Sequence, residues 1–521
     1  MPFMRNICFA LFMVFVVGSV QSQNFTPRQL FPGLFEAVQL SDVFHDNKTF
    51  VDATPKYSPA VILKDYNEHK NQPHFDLKQF VLANFTLPVT GGGDFKSNIS
   101  KGVRKHIDTL WQVLSRKHNS ASRYSSLISL PNDFIIPGGR FREMYYWDSY
   151  FTMIGLQESH KVKIIQNMIS NFAYLIDKYG FIPTGTRTYY LTRSQAPFFS
   201  MMLDLLAKEK GSEVLIKYQP ELLKEYAFWM NGAEQLKTGQ VYRRVVAMPG
   251  GEILNRYWGD SDKPREEAFK NDLDSAKKTT QKPADFYRNI RAAGESGWDF
   301  GSRWFGASGK YASIETTSII PVDLNCLLYH LELSIAQSYR LQGNIDKVNL
   351  YITKAMLRKK AIQKYCWSEK YGWFMDYNWK LKHISPQQTI AGVFPLDFNI
   401  ADATQANKMA EVLKTKFLRP RGLATSFKHT GQQWDSPNAW APMQYMAIVG
   451  LQNYHQKALA KEITLRWINT NIKVFNNTGK LTEKYNTDKD INASGGEYPS
   501  QDGYGWTNGV LLYLLDHYQT K

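Results

Sequence analysis

Apolar residues recur at helical spacing in several long stretches of this chain, and convincing alternating strands are scarce. Ile164, Ile165, Met168, Ile169, Phe172, Leu175, Ile176 and Tyr179 form one stripe, and Leu222, Leu223, Tyr226, Ala227, Trp229 and Met230 form another. Leu324, Leu327, Leu328, Leu331 and Ile335 form a third, and Val510, Leu511, Leu514, Leu515 and Tyr518 a fourth. Residues three and four apart share one face of an α-helix, so each stripe marks a helix with one side to bury. Loops dense in charge and aromatic rings alternate with the helices and tend to precede them: Tyr146-Trp-Asp148, Ser313-Ile-Glu-Thr-Thr317, Trp434-Asp-Ser-Pro-Asn438 and Gly505-Trp-Thr-Asn508. The units share too little sequence for a short-period solenoid. A closed ring of helical hairpins would gather such loops at one end. The expected fold is therefore all-α, a single α/α toroid; the stripes establish helices and leave closure of the ring open.

The toroid is expected over residues 101–521. Residues 23–100 are poor in helical periodicity and rich in Pro, Asp and Asn, and read as an extended arm packed on the main body, with Gly91-Gly-Gly93 as a joint. Residues 1–22 have the pattern of a secretory leader: Arg5, an apolar run from Ile7 to Gly18, then the small-residue pair Val20 and Ser22 before cleavage at Gln23. This predicts a periplasmic or secreted protein. No later apolar run is long enough to span a bilayer, so no membrane anchor is expected. Outside the leader, Cys326 and Cys366 lie in apolar surroundings as two free thiols or one disulfide.

The net charge of +16 is spread over the chain, without the stripe or tail of a nucleic-acid binder, so no nucleic-acid partner is expected. The 11 His are dispersed with no metal-ligand spacing, and no Gly-rich phosphate cradle follows a strand. Neither metal nor cofactor is predicted. The chain is expected to act as a monomer on a small-molecule substrate.

The run Pro137-Gly-Gly-Arg-Phe-Arg-Glu-Met-Tyr-Tyr-Trp-Asp-Ser-Tyr-Phe151 packs Arg140, Arg142, Glu143, Trp147 and Asp148 among aromatic rings. A buried core would not carry that charge, and a solvated loop would not carry those rings. Aromatic faces beside paired charged groups suit a polar ligand with apolar C–H faces, which describes a sugar. Arg193-Ser-Gln195, Gly297-Trp-Asp-Phe300, Gln433-Trp-Asp-Ser-Pro437 and Gly496-Glu-Tyr498 repeat the style. Cleaving a glycosidic bond needs one carboxyl to protonate the leaving oxygen and another to attack the sugar or activate water. Asp299 is one candidate: Gly297 permits close backbone approach, and Trp298 and Phe300 would lower local polarity and keep the acid protonated. Its alternative is an N-cap before a helix. Glu483, in Leu481-Thr-Glu-Lys-Tyr-Asn486, is either the second carboxyl or a surface residue beside Lys484. Glu497, between glycines and Tyr498, competes with it.

The motifs carry a resemblance. Pro137-Gly-Gly-Arg-Phe-x-Glu-x-Tyr-x-Trp-Asp-x-Tyr150 resembles the first signature of trehalases, and Gln433-Trp-Asp-x-Pro-x-Ala-Trp-Ala-Pro442 resembles the second. The resemblance runs from about Leu30 to the C-terminus and includes Lys48-Thr-Phe-Val-Asp-Ala53. It implies an (α/α)6 barrel and inverting hydrolysis of α,α-trehalose to two glucose molecules, with Asp299 as general acid and Glu483 as general base. It also implies sugar contacts from Arg140, Trp147, Asp148, Arg193, Ser194, Gln195, Arg265, Glu267, Gly297 and Glu497. The chain departs from the family pattern at Thr184, where Asn is usual, at Glu266, where Pro is common, and at Ala196, again in place of Pro. Thr184 and Glu266 remain in the expected substrate-binding set, with altered affinity: the hydroxyl loses an amide contact, and Glu266 would loosen its loop and bring negative charge near the sugar. Rival readings are another α/α-barrel glycosidase, a glycoside phosphorylase, or a non-catalytic sugar-binding protein on the same scaffold.

Overall fold

The computed structural model describes residues 24–41, 43–89, 95, 97–118, 122–490, 493 and 495–518. The expected leader and the Gly91-Gly-Gly93 joint lie outside them. The stripes fall on helices Val162–Tyr179, Gln219–Trp229, Val322–Leu341 and Gly505–Tyr518. Six helices form an inner ring: Tyr146–Glu158, Phe199–Lys210, Val322–Leu341, Phe394–Asp397, Ala441–Asn453 and Gly505–Tyr518. Each packs on the next, and the last packs on the first, so the ring is closed. Helices Gly102–Val113, Val162–Tyr179, Gln219–Trp229, Ile345–Cys366, Ala403–Val412 and Lys457–Thr478 surround it, which makes an (α/α)6 barrel.

Closure rests on two glycines. A Cβ on Gly155 would stand 2.3 Å from Gly509 Cα, and one on Gly509 would stand 2.0 Å from Phe151 O. Only hydrogen fits there, and the helix backbones meet directly. The inner helices are buried nearly all round, as expected for a ring covered outside and filled inside. Cys326 and Cys366 are buried free thiols.

The charged-aromatic motifs sit at the N-terminal ends of inner helices. Tyr146-Trp-Asp148 is the first turn of one and Gly505-Trp-Thr-Asn508 the first turn of another, while Trp434 to Asn438 leads into Ala441–Asn453. Short ladders brace these loops. Lys484–Asn486 pairs antiparallel with Asn438–Trp440, joining the segment after Glu483 to the second signature.

Residues 24–41 and 43–89 pack over the barrel with a hydrophobic cluster of their own. Phe31, Leu34, Phe35, Phe50 and Phe85 meet Tyr145, Tyr189, Tyr190 and Phe269 from the barrel loops. The arm includes the short helices Leu34–Leu40, Lys48–Val51, Pro59–His69 and Leu77–Asn84, which span too few turns to leave a long stripe in the sequence. A buried ion network fastens it. Lys48 Nζ lies 2.5 Å from Asp52 and 2.8 Å from Glu143, and Arg187 Nε lies 3.4 Å from Asp52 and 3.2 Å from Glu143.

Candidate active site

A cavity of about 610 Å³ opens at the motif end of the barrel. Arg140, Trp147, Asp148, Thr184, Arg193, Gln195, Arg265, Glu267, Gly297, Asp299, Glu483 and Glu497 all line it. Arm residues including Asp46 and Asn47 complete its mouth.

Asp299 follows the helix Pro283–Ser296, whose C-cap is Gly297 at φ +79°. A Cβ on Gly297 would also lie 2.7 Å from Trp147 Cε2, so both the left-handed turn and the ring exclude a side chain there. Asp299 is not an N-cap: the next helical turn, Ser302–Trp304, starts from Gly301. Burial pushes the Asp299 carboxyl up to about 7; Arg265 pulls against this and Glu497 reinforces it. Asp148, in the first turn of its helix, is also raised to about 7 by burial, against a 3.0 Å hydrogen bond from Tyr504 Oη and with the charges of Glu483 and Asp299 adding to the rise.

Glu483 is 1% exposed, which removes the surface reading. Its Oε1 accepts a 3.0 Å hydrogen bond from Tyr498 Oη, and its backbone carbonyl accepts one of 2.9 Å from Trp506 Nε1. Gln433 bridges the two segments. Its Nε2 donates to Asp299 O, and its Oε1 accepts from Lys484 Nζ at 2.8 Å.

Beneath the carboxyls lies a tryptophan floor. Trp298 stacks on Trp434 at 4.7 Å, Trp434 stacks on Trp440 at 4.2 Å, and Trp147 and Trp506 pack against the stack. Gln195 Oε1 accepts from Trp147 N at 3.1 Å, so Gln195 caps that inner helix while it lines the cavity.

The four arginines of the cavity are each balanced by protein carboxylates, Arg142 most loosely, with Nη1 3.6 Å from Asp52. Arg140 Nη2 lies 2.6 Å from Asp46, Arg193 Nη2 lies 2.7 Å from Glu267, and Arg265 forks between Asp272 at 2.6 Å and Glu497 at 2.7 Å. Glu267 is held down at about 2: burial opposes this, and Arg193, Arg265 and Arg291 outweigh it. Arg193 Nε and Nη1 and Glu267 Oε2 are buried with no hydrogen-bond partner among the described residues. Hydroxyl groups, which both donate and accept, would satisfy all three.

Ser194 and Glu266 do not line the cavity. Ser194 Oγ donates to Ile182 O at 2.7 Å, and its backbone N–H donates to Glu295. Glu266 turns to the arm, where it accepts from Arg28 N at 3.0 Å, while its carbonyl accepts from Gln39 Nε2 at 2.6 Å. It ties the loop down and carries its charge away from the cavity. Thr184 lines the cavity, but its hydroxyl proton goes to Ser194 O at 2.6 Å. Asp46, Asp272, Gln433 and Tyr498 were not singled out as site residues by sequence. Gln433 and Tyr498 lay inside the quoted motifs, and the signal was a hydrogen-bonding side chain adjoining Trp434 and Glu497. Asp46 carried no such signal.

Clustered carboxyls over a tryptophan floor, at one end of an (α/α)6 barrel, are the site of a glycoside hydrolase. The sequence profile of the trehalase family matches residues 42–519. The periplasmic trehalase of Escherichia coli O139:H28 is 46% identical over 513 residues, covering 97% of this chain and 91% of that protein. That of Escherichia coli strain K12 is 45% identical over the same shares. The chain belongs to the trehalase family. Among solved structures, the neutral trehalase of Saccharomyces cerevisiae superposes with a TM-score of 0.62 at 24% identity, over 82% of this chain and 81% of that one. A GH63 mannosylglycerate hydrolase of Thermus thermophilus superposes at 0.54 with 16% identity, over 79% and 99%. Both share the barrel.

Proposed function

We propose that this protein hydrolyses α,α-trehalose with inversion, Asp299 acting as general acid and Glu483 as general base. The observation that carries this reading is the shared cavity: two carboxyls remote in sequence open into it, and burial holds one of them protonated up to neutral pH. Asp299 gives its proton to the bridging oxygen as the bond from that oxygen to the anomeric carbon breaks. Glu483 takes a proton from the water that attacks the anomeric carbon from the opposite side. In inverting enzymes the two carboxyls stand roughly 6.5–9.5 Å apart, which leaves room for that water. One glucose is released as the β-anomer and the other keeps α.

The volume supports a small sugar, since sites for small molecules run from roughly 300 to 1,000 Å³. So does charge balance. With every cavity arginine already paired, a neutral substrate brings no uncompensated charge. The unpaired Arg193 and Glu267 atoms supply donors and an acceptor to sugar hydroxyls, and the tryptophan floor accepts C–H faces. Asp148 lines the same cavity and, when ionised, would stabilise the positive charge that develops in the oxocarbenium-like transition state.

The relatives' periplasmic placement and the leader pattern support a periplasmic or secreted location. Among the described residues no helix is long and apolar enough to cross a membrane.

Proton NMR of trehalose hydrolysis tests the reading. Wild type should give equal initial α- and β-glucose without added phosphate, and Asp299→Ala and Glu483→Ala should each be inactive. Two α-glucose products would refute inversion, and turnover by either variant would refute its assignment.

A further inference from the structure

A second concavity lies apart from the cavity, and no residue lines both. It is an open groove of about 860 Å³ whose wall includes Arg256, Trp258 and Trp379. Arg256 is only 4% exposed, and its guanidinium lies 4.5 Å from the centre of the Trp258 ring and 5.5 Å from that of Trp379. Its Nε donates to Arg243 O at 2.7 Å and its Nη1 donates to Thr317 O. Its Nη2 makes no hydrogen bond among the described residues.

Arg256 differs from the other buried arginines. Arg187, Arg193, Arg244, Arg265, Arg303 and Arg358 each sit against a carboxylate. Arg291 has no ion pair but feels Glu267 and Asp272. Arg256 has no carboxylate partner among the described residues. Burial, followed by repulsion from Arg288, pushes its pKa down to about 9. A buried charge left without a counter-ion is destabilising, and an anion brought to it relieves that cost.

The rim adds to the imbalance. Lys278, Lys282, Arg288, Lys310 and Lys380 line the groove with Arg256, against only Asp285 and Glu315. Glu315 accepts from Asn378 Nδ2 at 3.2 Å and feels Lys380, and Arg288 pairs with Asp262 at 3.7 Å and donates to Gly259 O at 2.8 Å, which still leaves the cations of the groove in excess. The helix Pro283–Ser296 begins in the same wall with no side-chain cap, so its first N–H groups add partial positive charge.

We propose that this groove is a second binding site, for a phosphate group carried free or as the ester of a small molecule, with the phosphate oxygens on Arg256 Nη2 and the rim cations. With Nε and Nη1 donating to carbonyls, Arg256 Nη2 keeps its N–H groups for charge-assisted hydrogen bonds to phosphate oxygens. The two half-buried tryptophans offer apolar surface to the carbon skeleton of an ester. The site stands independently of the hydrolytic assignment, because it shares no residue with the cavity.

Calorimetric titration of the full chain with inorganic phosphate and with glycerol 3-phosphate, at constant ionic strength set with chloride, tests it. Both should bind at millimolar concentration or below, and tighter binding of the ester would identify an organic phosphate as the ligand. The combined Arg288→Gln and Lys380→Gln variant should weaken both by about tenfold or more, with its ligand-free thermal midpoint and its trehalose kcat and KM unchanged. Arg256→Met should abolish binding; the rim variant carries the test should that chain fail to fold. Phosphate binding no stronger than that of chloride, or undiminished in the rim variant, would overturn the proposal.

Discussion

Tyr498 Oη donates a 3.0 Å hydrogen bond to Glu483 Oε1 while the Arg140 guanidinium lies 4.6 Å above the Tyr498 ring. Asp46 in turn holds Arg140, so the arm, the first signature and the proposed base form one chain of contacts. A hydrogen bond to a charged group contributes about 1.5–3 kcal/mol. Removing it leaves the Glu483 carboxyl held only by the longer contacts from Lys484 Nζ at 3.5 Å and Gln501 N at 3.4 Å, without opening the fold. Tyr498→Phe should therefore lower kcat roughly ten- to a hundredfold, with KM and the thermal midpoint little changed. Steady-state kinetics beside a melting curve check this, and an unaltered kcat would remove Tyr498 from the machinery.

The raised Asp299 carboxyl has consequences for both rate and stability. The acid works only while protonated, so kcat/KM should fall as pH rises through about 7. Asp148, raised to about the same value, titrates beside it, and the limb belongs to the pair. For stability, an unfolded Asp ionises near 3.8 while folded Asp299 keeps its proton to about 7. The unfolded state thus binds fewer protons between those values, and stability declines as pH climbs through that window. The full cost is on the order of 4 kcal/mol. Asp299→Asn, neutral at every pH, should be inactive and should melt higher than wild type at pH 8. The gain should vanish at pH 4, and a midpoint difference independent of pH would contradict the argument.

The motif residues were legible because they combine charge with aromatic rings, a pairing that neither a plain core nor a plain surface maintains. The helix stripes were legible because each buries one face. Two things were not. The arm's contribution was hidden because Asp46 lies just before the quoted Lys48–Ala53 run and meets Arg140 only in the folded chain, across the cavity mouth. The destination of Ser194 and Glu266 was hidden because neighbours in a loop can point to opposite sides. Sequence alone does not say that Glu267 faces the arginines while Glu266 faces Arg28.

The buried network around Lys48 should govern how firmly the arm holds. Lys48 Nζ bridges Asp52 and Glu143, all three side chains being almost wholly buried. Lys48→Met preserves most of the volume but leaves two carboxylates sharing only Arg187 and the more distant Arg142. Breaking a buried pair in this way costs about 3–5 kcal/mol. Chemical denaturation should show a loss of that order, and limited proteolysis should cut first within the arm. Asp46→Asn, whose side chain is partly exposed, should leave stability nearly intact and raise KM, because Arg140 loses its anchor at the cavity mouth.

Ring closure makes a separate demand, one that no stripe records. Gly155 and Gly509 bring the first and last inner helices into backbone contact, and the atoms that a methyl group would meet belong to helix backbone. A flexible side chain could swing aside, but a packed helix can yield only by moving as a body. Overpacking at well-packed sites costs about 1–3 kcal/mol, occasionally more. Gly509→Ala meets Phe151 O at 2.0 Å and should lie at the upper end or beyond, with Gly155→Ala close behind. Because the same two helices carry Asp148 and Trp506 at their N-terminal ends, the displacement should also reach the cavity and lower kcat. Gly180→Ala is the matched control: it sits at a helix C-cap with nothing within 4 Å of the new methyl, so it should cost only the strain of its positive φ and leave kcat unchanged. Equal losses of stability and rate at Gly180 and Gly509 would show that backbone strain, rather than the inter-helix contact, sets the cost.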